Sequence, residues 1–237
     1  MKQVAADSKF QTTLWSVVLR AGASDEQPRH AALSELCRMY WKPLFVYCLG
    51  KGHRIEDAED LTQAFFTHLL TTETLRVADP ARGKFRAFLL TSFKHFILDE
   101  GDRARAARRG GGAVHLSFEL NFKEAGLFPA MIDSSPERAY DRQWAGDLVE
   151  RATAALRTEH ERAEKSRWFE LVAGPAAGAS YQEVAAALGT TEEAVKSFAK
   201  RTRRRFRELL EAEIADTVGS PAEATEEMAY LVELLRG

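Results

Sequence analysis

The stretch SYQEVAAALGTTEEAVKSFAKRTRRRFRELL, Ser180–Leu210, carries the sharpest local signal in the chain. Ser180 and Glu183 have the spacing of a capping box, and Thr190 and Glu193 repeat it. Each pair predicts a helix start. Between the pairs lie a short helix, with Val184, Ala185 and Leu188 inward, and Gly189 as the turn residue. A short helix, a tight glycine turn and a second helix make a helix-turn-helix. In the second helix Val195, Phe198, Thr202, Phe206 and Leu209 recur at spacings of three and four, which predicts a buried stripe. The opposite face holds Lys196, Ser197, Lys200, Arg201 and Arg204. Such a cationic helix can lie in a major groove, contact phosphates and donate to guanine edges. A charge run alone reads as a solvated face. Its place on a capped second helix after a glycine turn favours DNA contact.

Upstream the pattern stays helical. Residues 31–50 carry Leu33, Leu36, Cys37, Tyr40, Trp41, Leu44, Phe45 and Cys48 at helical spacing. Pro43 is expected to kink or split this helix, and Gly50 and Gly52 to stop it. Residues 56–71 repeat the pattern with Ala58, Leu61, Phe65, Phe66, Leu69 and Leu70. Asp79–Pro80 and Gly83 mark a loop. Residues 84–99 follow with Phe85, Phe88, Leu89, Phe93, Phe96 and Ile97. Three such helices suffice for a small bundle. Gly110–Gly112 break the pattern, and residues 110–136 read as a linker laid along a surface by Leu116, Phe118, Leu120, Phe122, Leu127 and Phe128. Helices are predicted again at 137–160 and 161–173.

Composition bounds the answer. The chain has 237 residues, 45% hydrophobic and 29% charged, which allows one large domain or two small ones. No apolar run is long enough for a membrane span, and the N-terminus lacks a signal-peptide pattern, so a cytoplasmic protein is expected. Cys37 and Cys48 read as buried, reduced thiols; neither a disulfide scaffold nor a metal site is expected. The net charge of −2 conceals two basic blocks, Arg82–Arg109 and Lys196–Arg207, followed by an acidic end with Glu211, Glu213, Asp216, Glu223, Glu226, Glu227 and Glu233. Two basic blocks suggest a polyanion touched at two places.

One helix face is acidic. Asp57, Asp60, Gln63 and Ala64 form a row opposite the apolar stripe of 56–71. The row can be a solvated face, a pair of metal or acid–base carboxylates, or a docking site for a basic protein surface. No third acid or His is suitably spaced for metal, and no phosphate loop is present. Spacing alone makes the solvated face the plainest reading.

These segments together resemble a known family. DAEDLTQAFF (Asp57–Phe66), GKFRAFLLTSFKHF (Gly83–Phe96) and the C-terminal helix-turn-helix resemble the bacterial RNA polymerase sigma factors, most closely the extracytoplasmic-function (ECF) group. FQTTLWSVVLRA (Phe10–Ala21), DRARAARRGGG (Asp102–Gly112) and SPERAYDRQWAGDLVERA (Ser135–Ala152) look like a planctomycete-type subgroup. The resemblance covers nearly the whole chain, with several motifs in the family's order.

The resemblance implies an all-α fold. It consists of a sigma region 2 helical bundle at 31–109 and a sigma region 4 helix-turn-helix domain at 137–217, joined by an extended linker at 110–136. Residues 1–30 would be an N-terminal extension with a short helix, and 218–237 an acidic helical tail. Asp57, Asp60 and Gln63 would contact a coiled coil of the largest subunit of core RNA polymerase. Lys84, Arg86, Lys94, His95, Arg103 and Arg105 would face the −10 promoter element, with His95 standing where many members have Asn. Lys196, Ser197, Lys200, Arg201 and Arg204 would read the −35 element. Neither enzyme activity nor a cofactor is implied. An anti-sigma factor, a kinase or the chain's own extensions would regulate it.

Two further readings stay in view: a stand-alone helix-turn-helix regulator that needs no polymerase, and a sigma-like protein that binds polymerase without opening promoters. The tail PAEATEEMAYLVELLRG (Pro221–Gly237) carries an apolar stripe of Met228, Leu231, Val232, Leu234 and Leu235. An acidic amphipathic helix beside the basic DNA-reading helix suggests self-inhibition or partner docking; packing on its own domain is the equal alternative.

Overall fold

The structure, a computed structural model, describes residues 26–72, 74–79, 84–107, 135–174, 178–215, 218 and 220–236. The expected N-terminal helix, Arg82 and residues 108–134, which hold all but the end of the expected linker, lie outside the described residues. Among the described residues the regular structure is entirely helical. The helices are α1 (Glu26–Gly50), α2 (Ile55–Thr71), α3 (Phe85–Ala107), α4 (Pro136–Arg162), α5 (Ser166–Val172), α6 (Tyr181–Leu188), α7 (Glu192–Ala215) and α8 (Pro221–Arg236), with a 3-10 turn at Thr74–Val77. None is long and apolar enough to cross a membrane.

The chain divides into two compact units. One comprises the chain through Gly146 together with Ala215–Gly237; the other is Asp147–Ile214. The expected second domain starts at 137, but the first turns of α4 and all of α8 belong to the first unit. Side-chain chemistry explains the difference: Ala139, Tyr140 and Trp144 of α4, and Leu231 and Leu234 of α8, are buried there.

The first unit is organised around aromatic rings. Phe65 of α2 is fully buried and touches Phe66, Phe93 and Phe96, with centroids 5.9, 4.8 and 5.5 Å away. Tyr40 of α1 meets Phe85 edge-on at 5.5 Å, and Tyr47 meets Phe93 at 6.1 Å. Burying one such ring contributes about 1.5–3 kcal/mol. Phe85, Phe93 and Phe96 are therefore core side chains, and Phe88 is half-buried. α1 departs from a one-faced pattern. Leu44, Phe45, Val46, Tyr47 and Cys48 are all buried, because helices cover the end of α1 on more than one side. Pro43 lies inside α1 and does not split it. Gly50 allows a close approach: a Cβ there would sit 3.1 Å from the Cα of Pro136, the first residue of α4. Only hydrogen fits that gap without a shift.

The two cysteines are free thiols; Cys48 is buried as expected, whereas Cys37 is only half-buried. Burial pushes both up to about 12; Arg38 opposes this weakly at Cys37, and the Thr62 hydroxyl opposes it at Cys48. The thiolate is the reactive form, so native protein at pH 8 is expected to label slowly with a thiol reagent. Both thiols should react at once in denaturant. Rapid labelling of the native chain would place the thiols at the surface.

The second unit packs the rest of α4 against α5, α6 and α7. Leu148, Ala152 and Leu156 are buried at successive turns of α4. His160 sits between Phe169 and Phe198, at 5.1 and 5.3 Å. Its Nδ1 lies 2.8 Å from the Leu156 carbonyl and its Nε2 3.3 Å from the Thr202 hydroxyl. The helix expected at 161–173 begins only at Ser166. Glu164 is in the left-handed region (φ 55°), and the Lys165 amide donates back to the His160 carbonyl at 2.8 Å, which closes α4.

Candidate nucleic-acid interface

α6 is fixed at both ends by its own sequence. The Ser180 hydroxyl accepts from the Glu183 amide at 3.3 Å, and the Glu183 carboxylate accepts from the Ser180 amide at 2.7 Å. Both halves of the expected capping box are present. The Ser180 amide, and its hydroxyl at 2.8 Å, both donate to the Glu183 carboxylate and hold it below the ordinary carboxylate range. At the other end Gly189 takes φ 64° and ψ 38°, which favours a residue without Cβ. The Thr190 amide then donates to the Ala185 carbonyl at 3.0 Å.

That last bond displaces the second expected box. Thr190 is committed to closing α6, so the cap of α7 moves on by one residue. Thr191 accepts from the Ala194 amide at 3.2 Å instead. The turn between the helices is thereby short. Val184 and Ala185 pack on Val195, with Trp168, Leu171, Val172, Tyr181 and Leu188 around them.

α7 has a sharply divided surface. Val195, Phe198, Ala199, Thr202, Leu210 and Ile214 are buried. Phe206 and Leu209, expected in that stripe, are half-buried. Lys196, Ser197, Lys200, Arg201 and Arg204 are all exposed. At roughly 100° per residue they span an arc of about 140°. The seven cations of Lys196–Arg207 do not behave alike. Arg203 donates to the Tyr181 hydroxyl at 2.7 Å, and Arg205 grips Glu159 of α4 at 2.7 and 2.9 Å. These two lie at the borders of the arc and tie α7 to its neighbours. Within the arc the partners are on α7 itself. Lys196 pairs with Glu192 at 2.8 Å, Arg201 donates to Ser197 at 2.7 Å, and Arg204 lies 3.6 Å from Glu208. Exposed pairs of this kind add little to stability and exchange readily for phosphate.

Two residues outside the expected face join it, Arg207 from the same basic block and Lys165, which the sequence did not single out. Arg207 falls on the same row, 3.6 Å from Glu211. Lys165, in the turn before α5, lines an open cavity of about 310 Å³ with Trp168, Ala194, Ser197, Phe198 and Arg201. Helical spacing could have found Arg207. Nothing periodic marks Lys165, because its place depends on the turn between α4 and α5.

In the first unit Asp57 and Asp60 are exposed on one row of α2, with Gln63 half-buried beyond them. Glu56, Glu59 and a 60% exposed Ile55 flank the row. Acids at a helix start are also favoured by the helix dipole. Among the described residues no cluster of His, Cys, Asp and Glu is arranged to hold a metal ion.

The six expected −10 residues fare differently from one another. His95 and Arg103 are exposed, Arg103 beside Glu100. Lys94 pairs with Glu137 at 2.7 Å and lies 5.6 Å from the Tyr47 ring centre. That pairing holds the Glu137 carboxyl below its usual range. Arg105 falls in α3, but its side chain is not among the described ones. Arg86 is only 11% exposed. Its guanidinium donates to both oxygens of Glu227 at 2.9 and 3.2 Å, pairs with Asp141, and lies between the Trp144 and Tyr230 rings at 4.9 and 4.8 Å. Lys84 adds a contact to Glu227 at 3.4 Å. A charge read as exposed from the sequence is thus the centre of a buried ion cluster. Comparisons with protein-family models, with curated proteins and with solved structures gave no match.

Proposed function

We propose that this chain is a sigma-type transcription initiation factor of two helical domains, which binds core RNA polymerase and directs it to promoters. The observation that carries the reading is the division of α7. Its stabilising cations are tied back to Tyr181 and Glu159, while Lys196, Lys200, Arg201 and Arg204 lie on one exposed face of a capped second helix. In this reading that face enters the major groove of the −35 element as duplex, with Ser197 as a further donor. The exposed Asp57 and Asp60 row, with Gln63, receives a basic coiled coil of the polymerase. His95, Arg103 and the α3 cations hold the opened −10 strand. The chain performs no covalent chemistry in this account.

One observation favours the stand-alone regulator instead: Lys84 and Arg86 are already engaged by carboxylates. Pull-down with purified bacterial core polymerase separates the two. The wild-type chain is expected to be retained, and Asp57→Ala/Asp60→Ala to lose most of that retention while keeping its helical content. Equal retention of both, or none of either, would remove α2 as the contact; none of either would leave the stand-alone regulator.

A further inference from the structure

We infer that α8 is a removable cover over a surface for single-stranded DNA, with Glu227 and Tyr230 occupying the positions of a phosphate and a base. The inference rests on the sigma-type reading for its biological sense, but the geometry stands in one compact unit and is testable alone. Lys84 and Arg86 meet α8 at Glu227, and the Trp144 ring of α4 lies 4.9 Å from the Arg86 guanidinium. A cation pair beside a large aromatic ring is the composition that holds unstacked nucleotides. α8 supplies what such a strand would supply. Glu227 presents two oxygens to the Arg86 guanidinium at 2.9 and 3.2 Å, the forked geometry that arginine also offers to phosphate. The Tyr230 ring lies 4.8 Å from the Arg86 guanidinium, a place where a base can stack.

Two details point to exchange of the cover. The Trp144 indole Nε1 is buried and has no hydrogen-bond partner among the described residues. Buried donors are ordinarily satisfied, so the indole beside Arg86 holds one hydrogen bond in reserve. Asp141 belongs to α4, pairs with Arg86, and accepts from the Tyr230 hydroxyl at 2.7 Å. When α8 leaves, Asp141 keeps Arg86 aimed and partly neutralised, so the cation is never stranded without a partner. α8 is held as well by Leu231 and Leu234, which are 1% and 5% exposed. Closure is therefore the resting arrangement, and a strand must compete for it.

The test uses the full chain carrying Glu227→Gln/Leu231→Asp. The first change removes the carboxylate from Arg86; the second places an unpaired charge in the buried stripe and expels the helix. Hydrogen exchange across 221–236 reports release, and circular dichroism reports that the remaining helices persist. Fluorescence anisotropy with a short A/T-rich single-stranded oligonucleotide reads the surface. Release with binding about tenfold tighter than wild type is expected. A synthetic 221–236 peptide added in excess should reverse the gain. Release with unchanged affinity would overturn the inference, and so would an α8 that stays protected after both anchors are gone. Polymerase retention by the wild-type chain is scored separately, so failure of the cover and failure of the sigma-type reading give different results.

Discussion

Arg86→Ala is expected to destabilise the first unit by about 3–5 kcal/mol, the usual cost of breaking a buried ion pair from one side. The substitution leaves Asp141, 16% exposed, without its cation, and leaves Glu227, 1% exposed, with Lys84 at 3.4 Å in place of the forked arginine. It also empties the space between the Trp144 and Tyr230 rings. The Tyr140 hydroxyl still has its partner, because it donates at 3.1 Å to the backbone carbonyl of residue 86, which any residue supplies. The loss therefore belongs to the charge cluster. Urea unfolding with a probe in the first unit measures it. Adding Glu227→Gln to Arg86→Ala removes a buried carboxylate that has lost its main partner and should recover part of the loss, with a coupling of about 0.5–3 kcal/mol. Strict additivity of the two changes, or a loss below about 1 kcal/mol, would mean that Arg86 is a solvated surface cation.

The second large effect is on duplex binding. Replacing Lys200, Arg201 and Arg204 together by alanine should lower the slope of log affinity against log salt by about 2.7, at about 0.9 per phosphate contact. Stability should change little, because all three side chains are exposed and the buried stripe of α7 is untouched. Arg205→Ala is the matched control. It carries the same charge change per residue on the same helix, but its guanidinium is held by Glu159. That substitution should cost stability within about 1 kcal/mol and leave the salt slope in place. If the control and the triple variant move the slope by similar amounts per charge, the binding is diffuse attraction to a basic helix and not docking of one face.

The helix-turn-helix was legible because each of its devices is local. The capping box reaches three residues, the left-handed turn needs one glycine, and the stripe of α7 follows helical spacing; Ser180, Glu183, Gly189, Val195 and Phe198 all do what those rules require. The cap of α7 was displaced from Thr190 to Thr191 by the closing bond of α6, a competition between neighbouring local rules. The aromatic core of the first unit was legible in kind, since phenylalanines at helical spacing have few places to go but inward. The two-sided burial of Val46 and Tyr47 was not, because spacing describes one helix at a time.

The sequence by itself determined the helical character of the described residues, the position of the turn and the sign of charge on each face, because these depend on contacts within a few residues. Only the tertiary structure decided which cations are available. Lys200 and Arg203 look alike along the chain, and so do Arg86 and Arg103. Their difference lies in Glu159, Tyr181, Asp141 and Glu227, which reach them from 22 to 141 positions away. An arginine's electrostatic role is set by what folding brings within hydrogen-bond reach of it, and no rule of short spacing contains that information.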